Sequence, residues 1–179
     1  MRAAQRWMIA GAFVLVGLVV PERGASAQTA PDNTGLTFAA DVGAGVRRDF
    51  PLDDYGAGLN WVNLAIGGFV TPELALLGQV SNLGFVVSNR SDIRQASGVA
   101  GPVLQYWPHD RFHIRAGAGL GFWKIGDRSE YGLGLVVGAG VTVFRRGRHT
   151  LQAGVQIAPV FIEPRNAHSA IITFGYQRR

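Results

Sequence analysis

Residues 112–123 sort into two phases. One is Phe112, Ile114, Ala116, Ala118, Leu120 and Phe122, all apolar; the other is His113, Arg115, Gly117, Gly119, Gly121 and Trp123. Side chains on a strand point alternately to opposite faces, so this pattern is a strand with one greasy face. A helix would drop Arg115 and Gly119 into the stripe that Phe112 and Ala116 share.

The sorting recurs along the chain. In 36–47, Leu36, Phe38, Ala40, Val42, Ala44 and Val46 oppose Thr37, Asp41, Gly43, Gly45 and Arg47. In 132–144, the apolar phase from Leu133 to Val143 opposes Gly132, Gly134, Gly138, Gly140, Thr142 and Phe144. In 150–158, Leu151, Ala153, Val155 and Ile157 oppose Thr150, Gln152, Gly154 and Gln156. In 169–177, Ala170, Ile172, Phe174 and Tyr176 oppose Ser169, Thr173, Gly175 and Gln177. Two segments are weaker: Val62, Leu64, Ile66 and Val70 against Asn63 and Ala65, and Leu74, Leu76 and Val80 against Gln79 and Ser81. In 98–107, Ala100, Pro102, Leu104 and Tyr106 share a face opposite Gln105. Pro102 has no ladder donor, which predicts a bulge or strand end nearby.

These are eight strands. Short connections follow the second, fourth and sixth: Thr71–Glu73, Pro108–Arg111 and Arg145–His149. Longer ones follow the first, third, fifth and seventh: Arg48–Gly58, about 82–97, Lys124–Glu130 and Glu163–His168. Tight turns at one end and loops at the other predict an antiparallel meander.

Composition decides which face is outside. The counterphase is Gly, Gln, Thr and Ser, and Lys124 is the only lysine of the chain. A water-facing exterior would carry far more charge. Eight strands leave an interior just wide enough for side chains, which suits the many glycines. Apolar-out closure also satisfies every backbone group in lipid. The expected fold is therefore all-β, an eight-stranded antiparallel up-and-down transmembrane β-barrel. Aromatics divide between two expected interface belts. Tyr106, Trp107, Phe112, Phe144 and Tyr176 lie near the tight turns; Tyr55, Trp61, Phe122, Trp123, Tyr131 and Phe161 lie near the loops.

The start of the chain reads as an address. Arg2 and Arg6 precede an apolar run from Met8 to Val20, then Pro21 and Ala25-Ser26-Ala27. That order predicts a secretory signal over 1–27, cleaved between Ala27 and Gln28. A short periplasmic tail, 28–35, and the barrel, 36–179, would remain. The chain has no cysteine, which excludes disulfides, thiolate metal sites and cysteine nucleophiles.

The sequence resembles the small eight-stranded outer-membrane barrels of the OmpA transmembrane domain and OmpX type, over about Leu36 to Gln177. The resemblance is carried by Val70-Thr71-Pro72-Glu73-Leu74-Ala75-Leu76, Gln105-Tyr106-Trp107-Pro108, Gly117-Ala118-Gly119-Leu120-Gly121 and Ile172-Thr173-Phe174-Gly175-Tyr176. It implies the outer membrane of a Gram-negative-type bacterium, with outer-membrane lipid and lipopolysaccharide as surroundings. It also implies the barrel-assembly machinery as partner. Such barrels usually end in an aromatic; Tyr176 fits the penultimate slot, but Gln177-Arg178-Arg179 follows.

Chemistry-bearing constellations are few. A serine nucleophile needs a histidine within reach and a carboxylate behind it. His168 and Ser169, with Glu163 nearby, are adjacent and must point to opposite faces, so no catalytic residue is expected. The four histidines lack metal-ligand spacing, and the Gly clusters are not phosphate loops. No cofactor is expected. Asp41, Asn63, Gln79, Arg115, Gln152 and Gln156 all fall on the inward phase, and an Arg115–Asp41 bridge within a polar network is expected, fixing barrel register. Arg145-Arg146-Gly147-Arg148 reads as a solvated turn, with an anionic-lipid or nucleic-acid patch as the alternative. The scattered charge otherwise argues against nucleic acid. Asp49, Asp53, Asp54 and Tyr55, and Arg90, Asp92 and Arg94, would lie in loops that could bind a surface partner. A structural or surface-contact role, non-enzymatic, is the expectation. A narrow passive pore and a soluble periplasmic barrel holding a small apolar ligand are the alternatives.

Overall fold

A computed structural model describes residues 33–50, 54–88 and 95–179. The strands are β1 (Leu36–Phe50), β2 (Asp54–Thr71), β3 (Leu74–Ser88), β4 (Gln95–His109), β5 (Phe112–Ile125), β6 (Arg128–Arg146), β7 (His149–Ile162) and β8 (Arg165–Arg178). Each pairs antiparallel with its successor, and β1 pairs with β8 to close the barrel. The expected signal segment and its Ala27–Gln28 cleavage point lie outside the described residues. Of the tail, Asn33 to Gly35 is docked: Asn33 Nδ2 donates to the Pro72 carbonyl at 3.0 Å, and Phe69 N–H donates to Gly35.

The outward phase is as the alternation requires. Ile66, Val70, Leu76, Leu104, Leu133 and Ile172 are exposed on the barrel wall. Leu120, Val141 and Ile157 point outward too, so they line no internal ligand pocket. Inward glycines make room for long side chains from neighbouring strands. A Cβ at Gly175 would collide with the Asp41 carboxylate, and one at Gly140 would lie 2.5 Å from the His113 ring.

Four expectations need correction. The longer loops are mostly strand. β1 and β2 continue to Phe50 and from Asp54, and the β5–β6 and β7–β8 connections shrink to Gly126-Asp127 and Glu163-Pro164. Gly126 has φ +55°, a left-handed turn that glycine adopts without strain. Pro102 sits inside β4 with its ring outward, and pairing with β3 continues through it, opposite Gly78. Phe144 faces outward, because a bulge between Thr142 and Phe144 shifts the phase of β6. Finally, Trp107 and Trp123 belong to no interface belt. They are 0% and 3% exposed, inside the barrel.

The interior is layered. Toward the tight turns, Trp107 packs with Ala39, Ala65, Ala75, Leu77 and Phe69. Toward the opposite end, Trp123 packs with Val99, Val136, Val160, Ile162 and Ala167. Polar side chains fill the space between.

Candidate functional site

The middle layer collects side chains from five strands. Asp41 comes from β1, Asn63 from β2, Gln79 from β3, Arg115 from β5, and Gln152 and Gln156 from β7; all six are buried. Asp41 is one hub. Its Oδ2 accepts from Arg115 Nη1 at 3.4 Å and from Asn63 Nδ2 at 3.3 Å, and its Oδ1 accepts from Gln152 Nε2 at 3.2 Å. Gln156 is the other. Its Oε1 accepts from Gln79 Nε2 at 2.9 Å and Asn63 Nδ2 at 3.5 Å, while its Nε2 donates to Ser81 Oγ at 2.5 Å. Gln79 also donates to Asn63 Oδ1 at 3.0 Å. The structure thus brings all six residues into one connected network. A bulge after Asp41 adds a residue to β2, so Asn60 and Asn63 both turn inward although three apart.

Other members were not singled out in the sequence. Ser81 joins through Gln156, and His113 Nε2 lies 3.1 Å from Arg115 Nη2. Below them, Gln177 donates to Thr37 Oγ1 at 3.0 Å, and Gln105 donates to Gln177 Oε1 at 3.4 Å. Their inward phase was the available signal. Asp49 is also inside rather than in a loop: Arg47 Nη2 donates to Asp49 Oδ2 at 2.8 Å and to Gln95 Oε1. Tyr55 stands on β2, and Asp54 begins that strand. Asp53, Arg90, Asp92 and Arg94 lie outside the described residues.

Each of the two lumen tryptophans is capped by arginine. Arg179 lies over Trp107, its guanidinium carbon 5.1 Å from the ring centre. Its Nη1 donates to the Asp110 carbonyl at 3.0 Å and its Nη2 to Thr142 Oγ1 at 2.5 Å. Burial, and then Arg145 alongside, bring Arg179 down to about 10 against the pull of Asp110, so it stays charged at neutral pH. At the other end Arg165 and Arg47 lie 5.2 and 5.9 Å from the Trp123 ring. Neither indole N–H has an acceptor among the described residues, so both rings act through volume and face.

Open space is found at the rim. A cavity of about 140 Å³ beside Trp123 is lined by Ile125, Arg128, Glu130 and Arg165. Deeper, the gap bordered by Gln79, Val99 and Val136 has essentially no volume for water, ≈ 0 Å³. His168 and Ser169 are held apart by the pleat. His168 packs outside against Phe50 and Phe161, while Ser169 donates inside to the Ala158 carbonyl at 3.0 Å. The pair cannot act as nucleophile and base.

No family model matches the chain, and no curated protein matches its sequence. Solved structures match in fold. Neisserial surface protein A (NspA) superposes with a TM-score of 0.59 at 14% identity, over 80% of this chain and 98% of that one. Ail, the attachment invasion locus protein of Yersinia pestis, gives 0.58 at 11% identity, over 79% and 97%. Ail in complex with the heparin analogue sucrose octasulfate gives 0.53 at 14%, over 79% and 98%. The fold is that of the small eight-stranded outer-membrane barrels.

Proposed function

We propose that this chain is an integral outer-membrane β-barrel with a sealed lumen, serving a structural or surface-contact role without enzymatic chemistry. One observation carries the reading: the apolar face is outside and the hydrogen-bonded polar face is inside. A soluble barrel that holds an apolar ligand needs the reverse. A closed ladder lets neighbouring strands satisfy one another's backbone groups in hydrocarbon, which is why closed barrels can span a membrane. Strands of 14 to 19 residues exceed the 9–11 or so that cross a bilayer. Their ends therefore project beyond it.

The polar network acts as an internal brace. Its bonds cross the lumen between strands that are not neighbours, as from Gln79 on β3 to Gln156 on β7. A slipped register would turn these groups toward lipid. The two tryptophan layers and the filled middle argue for a closed lumen rather than a pore. Contact with a partner would fall to the projecting end that carries exposed Tyr55, Trp61 and Tyr131. Two barrels of like fold bear the names of a surface protein and an attachment protein, which fits that reading.

The test is heat-modifiable gel migration of the mature chain from an outer-membrane fraction. A folded transmembrane barrel migrates differently before and after boiling. Recovery in the soluble periplasmic fraction without a shift would overturn the membrane reading. In planar bilayers the protein should give no single-channel steps; stepwise conductance would overturn the sealed lumen.

A further inference from the structure

The charge of the barrel is not spread evenly between its ends. At the end with Gly126-Asp127 and Glu163-Pro164, basic and acidic residues balance, five against five among the described residues. Among the described residues at the tight-turn end, Arg111, Arg145, Arg146, Arg148, Arg178 and Arg179 face only Glu73 and Asp110. Asp110 is already engaged by Arg145 and Arg179. Glu73 sits in the β2–β3 turn, where Thr71 Oγ1 donates to it at 3.1 Å. No carboxylate pairs with Arg146, Arg148 or Arg178 among the described residues.

Their placement gives this excess a direction. Phe144, Leu151 and Tyr176 are cross-strand neighbours on β6, β7 and β8, and all three side chains are on the outward face. One pleat further toward the tight turns, the next outward row is Arg146, His149 and Arg178, again cross-strand neighbours. His149 Nδ1 lies 2.5 Å from the Tyr176 hydroxyl, linking the two rows. Arg148 extends the cationic row in the turn beyond. An apolar row followed at once by a guanidinium row is the profile of a bilayer edge: chains against the first, phosphates against the second. Arginine suits phosphate because its planar fork donates two parallel hydrogen bonds.

From this juxtaposition we infer that the outer wall at the β6–β8 tight-turn end is a binding site for the phosphate headgroup of an anionic glycerophospholipid. Arg146, Arg148 and Arg178 are the phosphate-binding groups, with His149 and Tyr176 between them. The site rests on the membrane reading above and adds to it a side of the barrel and a lipid class. It lies on the wall away from the lumen, so the polar brace and the tryptophan layers do not depend on it.

Native mass spectrometry of the protein extracted from outer membranes in neutral detergent tests the site, with phosphatidylglycerol and phosphatidylcholine as probes. Phosphatidylglycerol should be retained about a hundredfold more strongly, at roughly fivefold for each of three basic side chains at the surface. The preference should shrink at high salt, since exposed charges are screened. An Arg146→Gln/Arg148→Gln/Arg178→Gln variant that keeps its heat shift should lose the preference. Arg178→Gln alone should weaken it several-fold, and Lys124→Gln, at the far end, should leave it intact. Equal retention of the two lipids by a heat-modifiable protein overturns the lipid site and leaves the membrane reading standing. Loss of the heat shift in the unaltered protein overturns both. A salt-insensitive preference, an equal effect of Lys124→Gln, or tighter binding of duplex DNA than of phosphatidylglycerol also overturns the site.

Discussion

The two ends of the lumen are filled by the same chemistry, a tryptophan under an arginine, held in different ways. At the tight-turn end Trp107 is fully enclosed, and its arginine is fixed by the Asp110 carbonyl and the Thr142 hydroxyl. At the other end Trp123 is nearly as buried and Arg47, held by Asp49 and Gln95, also lies at its ring, but a cavity of about 140 Å³ opens beside it, bordered by half-buried Arg165. A cation over an aromatic ring closes a space only as firmly as its remaining donors are held. One stopper is locked by its neighbours; the other leaves room at the rim.

Replacing the two rings tests this contrast most strongly. Trp107→Ala should lose about 3–5 kcal/mol, measured by denaturant unfolding of the folded barrel in detergent, because the surrounding ring of Ala39, Ala65, Ala75 and Leu77 cannot collapse into the space. Trp123→Ala should lose less, toward the lower end of that range, since the hole would merge with an existing cavity. Equal losses would erase the difference between the ends. Between the stoppers, Asp41→Ala should cost about 3–5 kcal/mol by leaving Arg115 buried without its carboxylate. The double variant Asp41→Ala/Arg115→Ala should cost clearly less than the two single losses combined. Unchanged thermal stability in both single variants would remove the brace from the account. The arginines come next. Arg179→Ala should cost about 1–3 kcal/mol, since two charge-assisted hydrogen bonds are lost. Smallest is Arg165→Ala, about 0.5–1 kcal/mol for a partly exposed cation over a ring.

Within the apolar girdle the period of two was sufficient to read the fold. Leu36 to Val46 and Leu151 to Ile157 face outward as their phase requires, and the inward Asp41, Arg115 and Gln156 follow from the same count. Beyond the girdle the alternation lost its meaning. There the outward face meets water as well, so outward Arg48 and Tyr55 no longer contrast in polarity with the buried Arg47 and Asp49, although the ladder continues with Arg48 opposite Tyr55 and Asp49 opposite Asp54. That is why Asp49 resembled a loop residue. Trp107 shows a different limit. Its position after outward Tyr106 already placed it inward, but aromatic type suggested an interface belt. Bulges were the remaining hidden variable: nothing in the local alternation announces the extra residue that turns Phe144 outward or brings both Asn60 and Asn63 inside.

The middle layer also bears on how such a barrel completes itself. Asp41 stands on β1, the first strand made, and the carboxylate passes beside Gly175 on β8, the last. Its donors Arg115 and Gln152 arrive from β5 and β7, across the lumen. In an eight-stranded sheet not yet closed, β1 lies at the edge farthest from them in strand order. Closing the β1–β8 seam is therefore the step at which charge, hydrogen bonds and edge pairing are satisfied together. The seam between the first and last strands is thus fastened by groups that lie far from either edge.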